Sequence, residues 1–266
     1  MAVAAAASIF AYSPGASCDT FGNQTGVSCA PASKPLDMAA FEKQVAGLNT
    51  GDRIVFWAER FIGVPYDTDP LGAYVRSCRI VYDSEVDCMY QVFRAVELAL
   101  TKTPQEAEQK ALDLRFKTRG RVEGGRVVNY GERFQYAEDM IASGKWGKDI
   151  TGEVGAAREV PGSRGSGPVS YLPKEELLKK DVRSKLKNGD LIFFVKDPKK
   201  RITGEVVGHL GIIKVDGEKL LLIHASGSKA TKDKKGGGRV KEVGLPDYIA
   251  KMNFIGAKIT RFPDDL

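Results

Sequence analysis

The spacing of apolar residues changes along the chain from a helical period to a strand period. Up to about residue 186, apolar residues recur mainly three and four positions apart, which is typical of amphipathic helices. Helices are predicted at 37–48, 52–61, 88–100, 104–114, 134–141 and 174–186. Further on, short apolar runs alternate with turn residues, and strands are predicted at 191–195, 206–215, 219–225, 239–243 and 257–262. Helices that precede strands favour an α+β fold.

Three intervening stretches are less regular. Residues 75–82 predict a short strand just before the helix at 88–100. Residues 116–128 are basic and glycine-rich, which indicates a loop or a loose hairpin. Residues 152–167 hold five glycines and show little periodicity, so we expect a long, mobile surface loop that could act as a flap.

The helix predicted at 88–100 begins with a cysteine. Asp87 is a good N-cap residue, because its carboxylate can accept hydrogen bonds from the free N–H groups of the first turn. Cys88 then lies in that turn, where the helix dipole and the N–H groups favour a thiolate. Two interpretations stay open on these residues alone: a reactive thiol, or a buried structural cysteine of the kind common in protein cores.

The chain contains two histidines, and both fall in one predicted hairpin. The dipeptide Asp-Gly at 216–217 separates two apolar runs, and it is a strong signal for a two-residue hairpin loop. A loop of those two residues places His209 directly opposite His224, with Cβ atoms about 4.5–5.5 Å apart. Gly211 lies two residues along on the same face and leaves room beside His209.

The histidine pair fits three interpretations. Two packed histidines need no chemistry, and a metal pair lacks a third ligand at recognisable spacing, so we predict no metal and no cofactor. In the third interpretation, His209 takes the proton of the Cys88 thiol and His224 holds the ring of His209 in one orientation. The oxyanion would then meet the backbone N–H of Cys88 and a neighbouring donor.

Composition sets limits on the partner. The chain has 266 residues, 42% of them apolar, which suffices for one sizeable core or two small ones. Its net charge of +6 suits an anionic polymer and equally an ordinary soluble protein. The basic runs at 196–201 and 229–239 are predicted to be solvated loops, and the second lacks interleaved aromatic residues, so no nucleic-acid partner is expected. No apolar run approaches the length of about 18 residues expected of a transmembrane helix.

The N-terminal residues 1–35 are predicted to be a leader or a flexible segment. Residues 1–10 are apolar and small, like the core of a secretion signal, but lack its basic start. Cys18 is a weak match to a lipid-attachment site, so a lipid anchor is the lesser alternative. Cys18 and Cys29 fit a disulfide and two free thiols equally well, whereas Cys78 is interpreted as structural.

Four short motifs follow one another in the sequence: Asp87-Cys88, Asn-Gly-Asp-Leu-Ile-Phe-Phe at 188–194, Gly-His-Leu-Gly-Ile at 208–212, and Ile-His-Ala at 223–225. This order resembles the NlpC-type cell-wall cysteine peptidases, a papain-like superfamily, and residues 61–66 resemble the segment that precedes their cysteine. Within that superfamily the chain is most similar to the N-acetylmuramoyl-L-alanine amidase-like family, through residues 115–116, 130–139 and 148–151. The resemblance spans roughly residues 50–264.

The resemblance implies a papain-like α+β domain with N-terminal helices packed on a C-terminal antiparallel sheet or partial barrel. It assigns Cys88 as the nucleophile, His209 as the base and His224 as the third polar residue. It implies substrate-binding roles for Tyr66, Asp87, Tyr130 and Arg133. One position departs from the pattern, because Met89 stands where relatives usually have a small hydroxyl residue, which affects the floor of the pocket.

We therefore predict a single papain-like catalytic domain at 36–266 with a long insertion around 117–172. Its function is predicted as a cysteine-dependent amide hydrolase, either an N-acetylmuramoyl-L-alanine amidase or a stem-peptide endopeptidase. We expect an exported, periplasmic or cell-envelope monomer that acts on peptidoglycan fragments or the sacculus. A catalytically silent cell-wall-binding module and an acyltransferase or lipid amidase are alternatives on the same fold.

Overall fold

The computed structural model describes Lys43 and residues 45–264. The strands are β1 Val122–Glu123, β2 Arg126–Val127, β3 Lys148–Asp149, β4 Arg158–Val160, β5 Val169–Pro173, β6 Leu191–Val195, β7 Val207–Asp216, β8 Lys219–Ser228, β9 Gly237–Gly244 and β10 Gly256–Arg261. The helices are α1 Thr50–Arg60, α2 Ala73–Arg76, α3 Cys88–Ala99, α4 Pro104–Leu114, α5 Ala137–Ala142, α6 Thr151–Val154, α7 Lys174–Leu177, α8 Lys180–Arg183 and α9 Leu245–Lys251. Short 3-10 turns lie at Tyr130–Glu132 and Pro198–Lys200.

Some predictions fall beyond these residues. The predicted leader at 1–35, with Cys18 and Cys29, and most of the helix predicted at 37–48 lie outside the described part of the chain. The domain bounds predicted from the sequence therefore stay a prediction. Within the part that the structure does describe, none of the helices has the length and apolar character needed to span a bilayer.

Eight of the strands form one antiparallel sheet. Its order is β4-β5-β10-β6-β7-β8-β9, and β3 also pairs with β10. β1 and β2 form a separate hairpin, as the sequence allowed for 116–128. All five strands predicted from the apolar runs after residue 190 belong to the main sheet. The predicted α+β class is therefore confirmed.

Both faces of the sheet are covered. Phe193, Leu210 and Ile212 face a core shared with α1, α3 and α4. Phe194 and Ile213 face a second core, closed by α6, α7, α8 and α9. Because both faces are buried, β6 is a continuous apolar run instead of an alternating one.

Helix α3 lies at the centre of the first core and begins as the sequence predicts. Asp87 Oδ1 accepts a hydrogen bond from the N–H of Tyr90 at 2.8 Å, so Asp87 is the N-cap and Cys88 the first residue of the helix. From Tyr90 to Ala99 every residue of α3 is buried. This packing fixes the position of the first turn and therefore of the cysteine.

Two arginines neutralise buried acidic side chains around α3. Glu97, which is fully buried, accepts hydrogen bonds from Arg115 at 2.6 and 2.7 Å. Arg94 donates to Asp83 at 2.8 Å and to Glu97 at 3.2 Å. A buried charge is tolerated only when it is paired, so these bonds must be kept in the folded protein. They join α3 to the end of α4 and to the segment that leads into the cysteine.

The strand predicted at 75–82 is wrong. Asp67 Oδ2 accepts a hydrogen bond from the N–H of Ala73 at 2.8 Å at the start of α2. The chain then turns at Cys78, whose φ is +56°. A side chain that bonds to the backbone favours a turn over a strand, and here it outweighs the apolar pattern. Cys78 is disulfide-bonded, in line with its structural interpretation.

The mobile loop predicted at 152–167 is also wrong, because part of it is paired and anchored. The segment contains most of α6 and the strand β4, which pairs with β5. Arg164 donates to Glu138 at 3.0 Å and to Asp139 at 2.9 Å, and its guanidinium lies 3.5 Å from the ring centroid of Tyr136. The single helix predicted at 174–186 is divided into α7 and α8.

The β7–β8 hairpin has a different register from the predicted one. Asp216 pairs with Lys219, so the loop is Gly217–Glu218 instead of Asp216–Gly217. Gly217 has a φ of +57° at the first loop position, as a type II′ turn requires, and glycine adopts that conformation without strain. The ladder is shifted by two residues, which keeps every side chain on its predicted face but removes the direct pairing of the two histidines.

Candidate active site

Strands β7 and β8 separate at the end of the hairpin that carries the histidines. Ile212 and Ile223 form the last pair of their ladder. The N–H of Ile213 donates to Asp190 O on the β6 side at 2.9 Å, and neighbouring N–H groups along a strand alternate in direction. The N–H of Leu210 therefore points towards β8, beyond the last pair, into the gap between the two strands.

The first residue of α3 lies at this gap. The N–H of Leu210 lies close enough to the sulfur of Cys88 to lower the pKa of the thiol. Cys88 is a free cysteine and is partly buried. The sequence motifs at 87–88 and 208–212 are thus brought together, through the backbone of the residue next to His209.

The two histidines contact each other across the gap. Nε2 of His209 lies 2.7 Å from Nδ1 of His224, and the ring planes are nearly perpendicular, at 80°. They contact diagonally, because long side chains on one sheet face reach neighbours two residues out of register. Room for this contact comes from Gly211, where a Cβ would lie 3.1 Å from the Cβ of His224. The room that Gly211 leaves therefore lies at His224, and room beside His209 stays a prediction.

The contact between the rings determines how each can act. If His209 donates from Nε2, the acceptor is the unprotonated Nδ1 of His224, and Nδ1 of His209 is left to accept a proton. Aromatic rings enclose His209, with centroid distances of 5.9 Å to Phe194, 6.4 Å to Phe254 and 6.2 Å to Tyr248. This geometry suits a base whose orientation is held by a second imidazole.

Burial keeps both imidazoles neutral. It lowers the pKa of His209 well below the usual value, and the neighbouring His224 lowers it further. Burial, with a smaller contribution from Lys241, lowers the pKa of His224 to about 4. Near neutral pH, His224 therefore keeps an acceptor available for His209.

These shifts predict acid lability of the fold. Below about pH 6.5 the unfolded chain takes up protons on its histidines, whereas folded His224 resists until about pH 4, so the free energy of unfolding falls across that interval. For His224 alone the loss is on the order of 3 kcal/mol by pH 4, at about 1.4 kcal/mol per pKa unit. Urea denaturation at about pH 7 and pH 4.5 measures the loss.

A double variant provides the control. The chain has only two histidines, so His209→Asn with His224→Asn removes all histidine titration and leaves every carboxylate in place. We expect the variant to lose less stability than the wild type between the two pH values. Equal losses in both proteins would contradict the assignment of the acid lability to this pair.

The thiol itself is neutral at rest. Burial and the nearby Asp87 raise the pKa of Cys88 to about 12, and they outweigh the N–H of Leu210 and the ammonium of Lys229, which lower it. The position at a helix N-terminus is therefore not enough to produce the predicted thiolate. A neutral thiol beside a neutral imidazole requires the proton to move as the sulfur attacks.

A lysine lies beside the nucleophile, contrary to the prediction of a solvated loop at 229–239. The side chain of Lys229 is only 13% exposed, and its ammonium lies 3.1 Å from Asp87 and 3.6 Å from Asp67. The later lysines of that run, 232, 234 and 235, are exposed as expected. A run of lysines carries no signal of which one turns inward, because the two carboxylates come from distant parts of the chain.

Tyr66 closes another side of the candidate site. It is 5% exposed, and its N–H donates to Gly238 O at 2.9 Å. A Cβ at Gly227 would lie 2.2 Å from the ring of Tyr66, so only glycine permits this approach. The Cys88 sulfur lies close enough that its charge raises the pKa of the Tyr66 phenol, together with burial, the larger cause. A lining role for Tyr66 fits this position.

The structure places the other sequence-selected residues as follows. Tyr130 is buried, with its hydroxyl donating to Arg79 O at 2.5 Å, and Arg133 donates to the Tyr130 carbonyl at 3.1 Å. These contacts do not join Cys88, so substrate roles for Tyr130 and Arg133 stay predictions. Met89 is partly buried and packs against the first core.

Tyr248 is a site residue that the sequence reasoning missed. It lies on α9, with its ring centroid 5.0 Å from that of His224, and the charge of Cys88 contributes to a raised pKa of its phenol, although burial is the main cause. Helix α9 itself was not predicted. Proline in its first turn and the apolar pair Leu245 and Ile249 were the available signals. Among residues 45–264 and Lys43, no group of three or more potential ligands is arranged to hold a metal ion.

Comparison with known proteins supports the fold. No protein-family model matches this sequence, and no curated protein matches it. A solved structure named an N-acetylmuramoyl-L-alanine amidase, from Bacteroides uniformis, is 22% identical, with a TM-score of 0.59, over 80% of this chain and 98% of that one. A Legionella pneumophila protein is 18% identical, with a TM-score of 0.60, over 86% and 94%. A candidate xylanase from Bacteroides fragilis is 20% identical, with a TM-score of 0.56, over 77% and 98%. At such identities the likeness establishes the α+β fold that this chain shares with the three proteins.

Proposed function

We propose that this protein is a cysteine-dependent amide hydrolase of the papain-like superfamily that acts on peptidoglycan. The observation that carries the proposal is that the Cys88 sulfur lies at the N–H of Leu210, one residue from His209, whose ring contacts that of His224. A nucleophile at a helix N-terminus, a base and a group that orients the base are the parts that acyl transfer through a cysteine needs.

The first half of the reaction forms an acyl-enzyme. The Cys88 sulfur attacks the carbonyl carbon while Nδ1 of His209 accepts the thiol proton. The oxyanion is stabilised by the backbone N–H of Cys88, with the Tyr248 hydroxyl as a candidate second donor. When the C–N bond breaks, His209 returns the proton to the leaving amine, and a thioester to Cys88 remains.

The second half releases the acid. His209 takes a proton from a water molecule, whose oxygen attacks the thioester carbonyl. The C–S bond breaks, and the proton on His209 passes to the sulfur. The products are a free carboxylic acid and the neutral thiol found at rest, while His224 holds the His209 ring throughout.

Peptidoglycan is the proposed substrate because the ordered sequence motifs and one of the structural relatives indicate the same chemistry. The relative from Bacteroides uniformis is named an N-acetylmuramoyl-L-alanine amidase. Export to the periplasm or cell envelope follows from that substrate, and the disulfide at Cys78 is consistent with an oxidising compartment. We further propose that the enzyme acts as a monomer.

Mass spectrometry of digested peptidoglycan fragments tests the proposal. Cleavage of the lactyl–alanine amide yields sugar and intact stem peptide, whereas an endopeptidase yields shortened stems. Either product supports a peptidoglycan hydrolase and identifies the bond. Products joined to an added amine would instead indicate acyl transfer, and unchanged fragments would contradict the proposal.

The β8–β9 hairpin carries a basic surface next to the candidate site. Residues 229–241 contain six lysines or arginines and one aspartate, in a chain whose net charge is +6. Five of these cations are exposed: Lys232, Lys234, Lys235, Arg239 and Lys241. We propose that this surface, the hairpin basic surface, holds the carboxylate-bearing polymer near Cys88.

Binding to insoluble peptidoglycan is expected to depend on salt through this surface. Charge reversal at Lys232, Lys234 and Lys235 should weaken binding at least about tenfold at low ionic strength and flatten its salt dependence, because exposed charges act over about a Debye length. Pelleting assays between about 50 and 500 mM salt measure this. Charge reversal at the exposed Lys199, Lys200 and Lys219 is the matched control. Equal binding by both variants would contradict a role for the hairpin.

A further inference from the structure

The ammonium of Lys229 bridges two carboxylates beside the nucleophile. Its Nζ lies 3.1 Å from Asp87 Oδ2 and 3.6 Å from Asp67 Oδ2. The other Asp87 oxygen caps α3 through the N–H of Tyr90, and Asp67 accepts from the N–H groups of Asp69 and Ala73, both at 2.8 Å. The two carboxylates are thus fixed by backbone donors, and the Lys229 ammonium lies between them.

The loop that carries the lysine is held in place by its backbone. Lys229 directly follows β8, and the N–H of Ala230 donates to Thr68 O at 2.8 Å. The Lys229 ammonium also lies 5.6 Å from the ring centroid of Tyr66, a distance at which a cation interacts favourably with the ring face. The position of the ammonium therefore follows from the backbone bond of Ala230 and from the contact with the Tyr66 ring.

The net charge around Cys88 indicates what Lys229 contributes. Two carboxylates and one ammonium leave this cluster with one net negative charge, and loss of the thiol proton would add a second. In a partly buried site, like charges at close range disfavour ionisation. The charge on Asp87 adjoins Cys88 directly, so pairing Asp87 reduces the repulsion that the sulfur meets as it becomes anionic.

We propose that Lys229 is a positioning residue that acts through Asp87: by pairing with the N-cap carboxylate it keeps the Cys88 sulfur within reach of deprotonation by His209. This inference rests on the proposed role of Cys88 and extends it to a residue of the β8–β9 loop. It concerns the ionisation of the sulfur, so it can be tested without any substrate.

The titratable groups around the sulfur come from several elements. They are Asp87 at the start of α3, Tyr66 and Asp67 before α2, Tyr248 on α9, and Lys229 after β8. Glu85 faces Asp67 and Lys229, and His209 on β7 is one residue from Leu210. Of these, Lys229 is the cation that favours the thiolate, whereas Asp87 opposes it. Removal of the lysine should therefore raise the pKa of the Cys88 thiol.

The rate of alkylation by iodoacetamide, followed from about pH 7 to 10, reports the thiolate fraction of Cys88. Peptide mapping by mass spectrometry separates Cys88 from the other cysteines. Lys229→Met is expected to slow alkylation at about pH 8 by roughly tenfold, equivalent to one pKa unit, because the thiolate is the reactive form. Lys229→Arg should restore most of the rate, and Lys199→Met, at an exposed lysine outside the hairpin basic surface, should have no effect.

A double-variant comparison tests whether the effect passes through Asp87. Asparagine caps helices about as well as aspartate, so Asp87→Asn should preserve α3 while removing the charge. In that background Lys229→Met should change the alkylation rate by a smaller factor than in the wild type, because only the direct effect of the Lys229 charge on the sulfur then remains. This pair of variants serves equally if the single Lys229→Met protein fails to fold. An unchanged pH profile in a folded Lys229→Met protein, or an equal effect in both backgrounds, would overturn the inference. Absence of peptidoglycan cleavage would leave these measurements intact and would count against the proposed function alone.

Discussion

Cys88→Ala is expected to lower amide hydrolysis at least about 10⁴-fold, with little change in the thermal midpoint of unfolding. Loss of a nucleophile from a cooperating set costs about as much as loss of the whole set, since the remaining groups cannot form the acyl-enzyme. The thiol is only partly buried and does not cap α3, because Asp87 does. Initial rates of fragment release, measured beside thermal denaturation, give both quantities.

Cys88→Ser is the matched control that preserves the size of the side chain. It keeps the volume of the side chain but has a much weaker nucleophile, so it should be nearly as inactive as the alanine variant. Alkylation of wild-type Cys88 should produce the same loss. An alanine variant that retains more than about a tenth of the activity would refute the cysteine mechanism, and a wild type without activity would favour the silent wall-binding module.

Arg115→Met is expected to destabilise the protein by about 3–5 kcal/mol, the cost typical of breaking a buried ion pair, because Glu97 then keeps only its contact with Arg94 at 3.2 Å. Arg115 and Glu97 are 1% and 0% exposed, and their two hydrogen bonds measure 2.6 and 2.7 Å. The variant also loses the bond from Arg115 to Ile80 O, at 2.8 Å. Urea denaturation at neutral pH measures the change in the free energy of unfolding.

Two further variants make this result specific. Glu97→Leu combined with Arg115→Met replaces the pair by apolar side chains and should recover most of the loss, while Arg94 keeps its bond to Asp83. Lys148→Met breaks the exposed pair with Glu153 and should cost less than about 1 kcal/mol. If the exposed and buried variants cost the same, burial of the pair would not be the cause.

The parts of this molecule that follow from local pattern could be predicted. Asp87 caps the next helix, and a continuous apolar run makes β6, because each depends on residues close in sequence. Both histidines lie on the predicted sheet face for the same reason. The strand predicted at 75–82 failed because Asp67 bonds to the backbone six residues away.

Other features depend on contacts that no local pattern encodes. Lys229 reaches Asp87 and Asp67 only because the β8–β9 loop bends over the segment before α2. Tyr248 meets His224 only because α9 packs on the second core. The neutral state of Cys88 likewise follows from its burial and from the nearby Asp87, which outweigh the groups that lower its pKa.

The hairpin turn at Gly217–Glu218 sets the register of β8 against β7, and through it the geometry of a site at the opposite end of the ladder. Since successive side chains on a strand point to opposite faces, one residue added to this turn would move every side chain of β8 to the other face of the sheet. His224 would then leave the face of His209, and the segment that delivers Lys229 would be displaced with it. The turn lies far from the reacting groups along the ladder, yet its length determines whether His224 and Lys229 reach the candidate site. An insertion here should therefore be less well tolerated than in most surface loops.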